Sequence, residues 1–150
     1  MGLEQETEMT REETDALLSR HETGVLSLAS DDDPYAIPIS YGYDADERQF
    51  YMRLVSTPDS KKREFLSGSP TVRLVVYEEA GRTYRSVVVS GVLHPIARDE
   101  ITPEHVEQYG DAKRPLFEIW GDARKDLDIQ LYVLRPETIS GRRIELELDQ

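Results

Sequence analysis

The chain has 150 residues and carries 30 Asp and Glu against 18 Lys and Arg, for a net charge of −12. So acidic a surface repels phosphate backbones and anionic lipid, which excludes ordinary nucleic-acid and membrane-surface binding. With no Cys there is no disulfide framework, thiolate nucleophile or Cys-ligated zinc, and the expected setting is cytoplasmic.

A single domain of this length hides roughly 68–70% of the surface its unfolded chain exposes, enough for a core without staples. The apolar share of 38%, with eight Tyr and one Trp, argues against disorder. Residues 1–9 are acidic, lack the apolar centre of a signal peptide and read as a flexible extension, leaving one domain over 10–150. Glu6 stands where a myristoylation motif after Gly2 needs Ser or Thr. No apolar run is long enough to span a bilayer.

Thr10 with Glu13 three residues on forms a capping box, which predicts a helix through Leu17, Leu18 and Arg20 that ends by Gly24. Val25 to Ala29 has strand length, and Asp31-Asp32-Asp33-Pro34 reads as a solvated turn, lacking the glycine and closing Glu of a calcium loop. Tyr35 to Tyr41 resumes the extended pattern. Pro38 within it cannot donate to a ladder, so this strand has an edge, a bulge or an opening there. An opening in a sheet is a natural ligand site.

A strand over Gln49–Val55 follows. Thr57 then reads as an N-cap with Pro58 at the first helical position, and the helix carries Phe65 and Leu66 to Gly68. Strands are predicted at Thr71–Tyr77 and Tyr84–Leu93 around a loop at Glu79-Ala80-Gly81-Arg82. Thr102-Pro103 repeats the capping device for a helix to Tyr109, and Leu116–Trp120 reads as a further helical turn. Strands at Gln130–Leu134 and Ile139–Leu148 close the chain. Six or seven strands with short turns and three or so brief helices define a mainly β, antiparallel barrel.

His21, His94 and His105 are widely spaced and form no metal-ligand pair, and they read as surface or structural residues. Nucleophile-elbow, phosphate-loop and dinucleotide fingerprints are absent. Ser60-Lys61-Lys62 stands out, because the chain has 14 Arg and only four Lys, and two of those four are adjacent here. Two ammonium groups, a hydroxyl and a helix start suit a phosphate monoester; the other reading is an exposed turn pairing with Asp59 and Glu64. Tyr84 to Gly91 alternates so that Ser86, Val88 and Ser90 share one face and Val87 and Val89 the other. That polar stripe is either a solvent face or a set of partners for a planar heteroaromatic ligand.

In order and spacing these blocks resemble the pyridoxamine 5'-phosphate oxidase-like, FMN-binding split β-barrels, especially their nitroimidazole-resistance-like branch. The resemblance runs from about Thr10 to Ile144, through Gly24–Leu28, Pro34–Asp44, Phe50-Tyr51, Ser60-Lys61-Lys62, Pro70 and Arg85–Gly91. It implies a homodimer with FMN at the subunit interface and a flavin-dependent oxidoreductase acting on a small organic substrate. The alternatives are a non-catalytic flavin- or haem-binding module and a deazaflavin-dependent reductase. By the same resemblance Ser60, Lys61 and Lys62 match the phosphate-binding segment. Ile37, Pro38, Ile39 and Ser40 match the strand beside the isoalloxazine, Tyr51 follows on the next strand, and Ser86 matches a contact to the ring's polar edge. Trp120 falls where relatives supply an aromatic residue across the dimer. Met52-Arg53 stands where small members often carry His, and no tryptophan–arginine pattern follows Leu134, so vitamin B6 oxidation is not implied. The flavin would carry the chemistry, so no acid or base is nominated.

Carboxylate enrichment with lysine depletion predicts adaptation to high salt, which hydrates such a surface and screens its self-repulsion. A melting series should show the midpoint rising into molar salt; a flat or falling curve refutes that adaptation.

Overall fold

In a computed structural model, which describes residues 3–56, 61–100, 102–103 and 128–147, the capping box sets the first helix. Thr10 Oγ1 accepts from Glu13 N–H at 3.1 Å, and Glu13 Oε1 accepts from Thr10 N–H at 3.3 Å. Helix α1, Arg11–Arg20, therefore starts where the sequence predicts. Its inner stripe, Thr14, Leu17 and Leu18, is buried and plugs one end of a β-barrel.

The described residues form eight strands: β1 Leu3–Glu8, β2 Thr23–Ser30, β3 Asp33–Ser40, β4 Gly42–Asp44, β5 Gln49–Ser56, β6 Thr71–Ala80, β7 Thr83–Ile96 and β8 Asp128–Glu147. Helix α2, Lys61–Leu66, follows β5. The strands make one antiparallel sheet in the order β3-β2-β6-β7-β8-β5-β4, with β1 on the far half of β8. The sheet curls without closing, giving the predicted antiparallel split barrel. Alternation builds its interior: Leu26 and Leu28, Val72, Leu74 and Val76, Val87 and Val89, and Phe50, Met52 and Leu54 all point inward and are buried.

Four features differ from the sequence reading. Residues 3–8, read as an extension, pair with β8 from Leu3↔Glu147 to Glu8↔Arg142. The pairing uses backbone groups, and a strand spelled LEQETE has no apolar alternation to announce it. Gly42–Asp44 is a short strand in its own right. The two expected C-terminal strands are one 20-residue strand. Pro136 and Glu137 look like a break, but they sit at a register shift opposite Ser90/Gly91, where a bulge absorbs the missing N–H. The β6–β7 turn is also tighter than expected: pairing extends to Ala80↔Thr83, leaving Gly81-Arg82. The expected caps at Thr57 and Pro58, the helix to Tyr109 and the turn at Leu116–Trp120 lie outside the described residues.

Helix α1 is held to the barrel mouth by charge as well as packing. Arg20 forks onto Glu78 at 2.9 and 2.8 Å, Arg85 reaches the same carboxylate at 3.2 Å, and His21 Nε2 meets it at 2.6 Å. His21 is thus a structural contact and not the plain surface residue the sequence suggests. Arg48 holds Asp15 at 3.0 Å, and Tyr43 donates to the same oxygen at 2.6 Å. Burial, helped by the Asp15 carboxylate, raises the Tyr43 hydroxyl to about 12, so it stays a donor. Gly141 on β8 lets α1 approach closely; a Cβ there would lie 2.8 Å from Thr14 Oγ1.

The Arg20 fork, with His21, lowers the Glu78 carboxyl from 4.5 to about 2. Because the folded value is depressed, its stabilisation is present above the unfolded value and is lost as pH falls through the folded one. Urea unfolding from pH 4.5 down to 2 should therefore lose roughly 1–3 kcal/mol that Glu78→Gln lacks already at neutral pH. An unchanged slope in the variant would remove Glu78 as the cause.

Candidate functional site

The site begins with the hydrogen-bond phase of β3. Tyr41 N–H donates to Glu22 C=O at 2.9 Å, so the backbone groups of every second residue back along the strand, Ile39, Ile37 and Tyr35, also face β2. Pro38, opposite Val25, falls in the other phase, where a missing N–H costs no ladder bond. The carbonyls of Ala36, Pro38 and Ser40, with the N–H groups of Ala36 and Ser40, therefore point away from β2. Among the described strands β3 pairs only with β2, so these groups border the barrel's opening.

The other border is β5. After Tyr41 the chain crosses from one sheet edge to the other as β4, whose ladder with β5 runs from Asp44↔Gln49 to Gly42↔Tyr51 and stops. Beyond Tyr51, the β5 edge away from β8 faces β3 across the split. Side chains there are sorted by the period of two. Phe50, Met52 and Leu54 enter the core, whereas Tyr51 and Arg53 face outward. On β3, Tyr35, Ile37 and Ile39 face inward, and by the same alternation Ala36, Pro38 and Ser40 lie on the outer side, Ala36 and Pro38 exposed and Ser40 buried.

The predicted residues therefore divide. Pro38, Ser40 and Tyr51 share the outer face beside the split. Ile39 is fully buried and Ile37 packs on the core, so the side chains of both belong to the interior. Tyr51 donates to Gln49 Oε1 at 3.2 Å and packs with Ile96 and Val133. Helix α2, which begins with Lys61 and Lys62, is docked on the β3 side by a stacked Tyr35–Phe65 pair with centroids 5.0 Å apart. Ser60 and Trp120 lie outside the described residues.

Ser86 is on the same outer face, paired with Tyr77 and Arg142, while Val87 and Val89 are buried as the alternation predicts. Within one chain it does not join the split: three strand spacings, roughly 14 Å, separate β7 from β3. Ala36 and Arg53 are not among the predicted site residues. Ala36 could have been found from its two-residue spacing to Pro38, and Arg53 from its spacing to Tyr51. No group of three potential metal-ligating side chains occurs among the described residues. A separate shallow cleft of about 220 Å³, lined by Arg48, Gln49, Arg135 and Pro136 among others, holds none of the predicted residues.

The chain matches the pyridoxamine 5'-phosphate oxidase family over residues 10–143 and belongs to it. No curated protein matches the sequence. Among solved structures it is similar to an FAD-binding protein from Mesorhizobium loti, with 23% identity, a TM-score of 0.69, and 97% of this chain and 99% of that one covered. It is similar to a candidate 5-nitroimidazole antibiotic resistance protein from Bacteroides thetaiotaomicron at 13% identity, with a TM-score of 0.71 and coverage of 99% and 93%. A third is an FAD- and heme-binding protein from Mycobacterium smegmatis, at 18% identity, a TM-score of 0.62 and coverage of 96% and 74%. No described helix is long and apolar enough to cross a membrane.

Proposed function

We propose that the chain is a flavin-binding oxidoreductase that holds FMN at the β3–β5 split and acts on a small organic substrate. The observation that carries this reading is the open β3 edge. It offers alternating carbonyl and N–H groups, at Ala36, Pro38 and Ser40, to the edge of a planar ring whose own periphery carries acceptors and an N–H. The residues present thus fit an isoalloxazine through main-chain contacts, which need no particular side chain. Family membership and the similarity to proteins described as FAD-binding support a flavin as the ligand.

Each part of the site has a task. The β3 edge orients the ring, and the outward side of Pro38 gives it a rigid apolar contact. Lys61 and Lys62 neutralise the flavin phosphate, and Ser60 hydrogen-bonds it. When bound, the flavin supplies hydride transfer; the protein supplies placement and electrostatics. Ile37 and Ile39 fix the edge by anchoring it to the core.

The reading also includes a homodimer. Across β3, β2, β6 and β7 the outer face carries the row Pro38, Val25, Val75 and Val88, and Tyr77 beside it is 69% exposed. A flat apolar row with an exposed tyrosine suits a second copy of the same face. Association there would bring Ser86 of one copy toward the split of the other, which accounts for a ring contact that one chain cannot make.

Purified protein should take up FMN, become yellow, and bleach with a nicotinamide donor. Flavin uptake without reduction would favour a binding module, and no affinity for any flavin would refute the proposal. Lys61→Ala with Lys62→Ala should weaken FMN about tenfold or more while leaving the melting point near wild type; unchanged affinity would make the pair an ordinary surface turn.

Val88→Asp should convert the dimer to monomer by light scattering and weaken FMN with it. A variant that remains dimeric would move the interface elsewhere.

A further inference from the structure

We infer that Arg53 is a positioning residue that sets the charge of the reduced flavin, holding the ring as an anion; this rests on the flavin reading above. The β5 alternation buries Met52 and Leu54 on either side of it, so the Arg53 side chain leaves the barrel on the face that carries Tyr51. The β4–β5 ladder ends at Gly42↔Tyr51. Two residues further along β5 and two back along the other strand, the next same-face positions are Arg53 and Ser40. Arg53 therefore faces the split from one wall, while Ser40 and Pro38 face it from the other.

Its described neighbours along the row are apolar. Arg53 is half-buried, its cross-strand neighbour is Leu131, and Ile96 follows in the same row. A charge beside apolar neighbours acts through a lower dielectric than one in water. Of the described outward side chains on the two walls near this point, Ala36, Pro38, Ser40, Tyr51 and Arg53, only Arg53 is cationic at neutral pH. Asp33 stands at the far end of β3, and His94 lies two strands away in the Tyr51–Val133 row. A guanidinium keeps its proton at any working pH, so it acts as fixed charge and not as an acid.

The balance of the step defines what that charge does. A hydride from a nicotinamide-class donor adds two electrons and one proton to the oxidised ring and leaves one negative charge. Beside Arg53 that charge is offset and no second proton is needed; without Arg53 the ring takes a second proton from solvent. Arg53 thereby raises the tendency of the ring to accept a hydride.

The test uses FMN-loaded full-length protein and redox titration from mildly acidic to neutral pH, with sulfite affinity as an independent probe, since sulfite adds to the oxidised ring and leaves the same negative charge. Wild type should take up one proton per two electrons. Arg53→Met should take up two, shift to a lower potential, and bind sulfite about tenfold or more weakly. Arg53→Lys should restore the wild-type proton count and most of the sulfite affinity, which a purely structural role would not do. Arg53→Gln serves as the neutral variant if Arg53→Met does not retain FMN. Neutral variants with wild-type potential, proton count and sulfite affinity would overturn this role while leaving the flavin reading intact. A wild-type protein that binds no FMN would overturn both.

Discussion

One hydrogen bond fixes the phase on which the site depends: Tyr41 N–H to Glu22 C=O. It commits Ile39, Ile37 and Tyr35 to β2 and turns the backbone groups of Ser40, Pro38 and Ala36 the other way. In that phase proline is tolerated, and by lacking an N–H it makes the open side a poor template for a further strand. Shifted by one residue, the strand would lose a ladder bond at Pro38 and bring Ile37 and Ile39 out of the core. The same residue step therefore decides both where the apolar side chains go and which backbone groups remain for a ligand. After Tyr41 the chain crosses to pair with β5 as β4, so among the described residues the barrel is bridged at one end of the split and unpaired along the rest.

The ion pairs divide the basic residues by task. At the α1 end of the barrel the described arginines that pair with Glu78, Asp15 and Glu13 are Arg20, Arg85, Arg11, Arg48 and Arg143, and the His21 ring also meets Glu78. Arginine suits such pairs because its planar fork meets a carboxylate with two parallel bonds and loses less hydration than an ammonium. An acidic chain rich in arginine and poor in lysine can thus spend its cations on internal pairing. Lys61 and Lys62 start the helix that Phe65 ties to Tyr35 on β3. A compact ammonium on a flexible stem serves a phosphate better than it serves a buried carboxylate.

Most of the fold is legible in the sequence because most strands are half-buried and spell their alternation. β2, β5, β6 and β7 do so, and the capping box sets α1 to the residue. What stays hidden is pairing that does not depend on apolar side chains. β1 is held by backbone bonds and by charges such as Glu6 opposite a strand bearing Arg142 and Arg143. β8 hides its continuity behind Pro136 because a bulge is a property of two strands together, and one strand's sequence cannot display it. The site is legible at Pro38, whose chemistry demands an edge. It is not legible in the division of Ile37 and Ile39 from Pro38 and Ser40, since a contiguous block names all four while a strand's period of two gives only alternate side chains to any one face. Arg53 is hidden for a similar reason: only the end of the β4–β5 ladder tells which outward residues of β5 border the opening.

The net charge of −12 and the proposed anionic ligand pull in opposite directions, and distance decides between them. At 0.1 M ionic strength the Debye length is about 10 Å, so an approaching anion feels repulsion from much of the chain's excess negative charge; in molar salt it is about 3 Å and that repulsion is largely gone. Exposed cations lose their attraction under the same screening. A half-buried cation does not lose it in proportion, because little salt solution lies between it and a ligand seated against apolar neighbours. Charges placed as Arg53 is, beside Leu131 and opposite Ser40, are the kind that continue to act when the surface has been screened. A net charge of −12 and the proposed cationic opening are then compatible: salt would remove the barrier to entry at long range, and burial would preserve the attraction at short range.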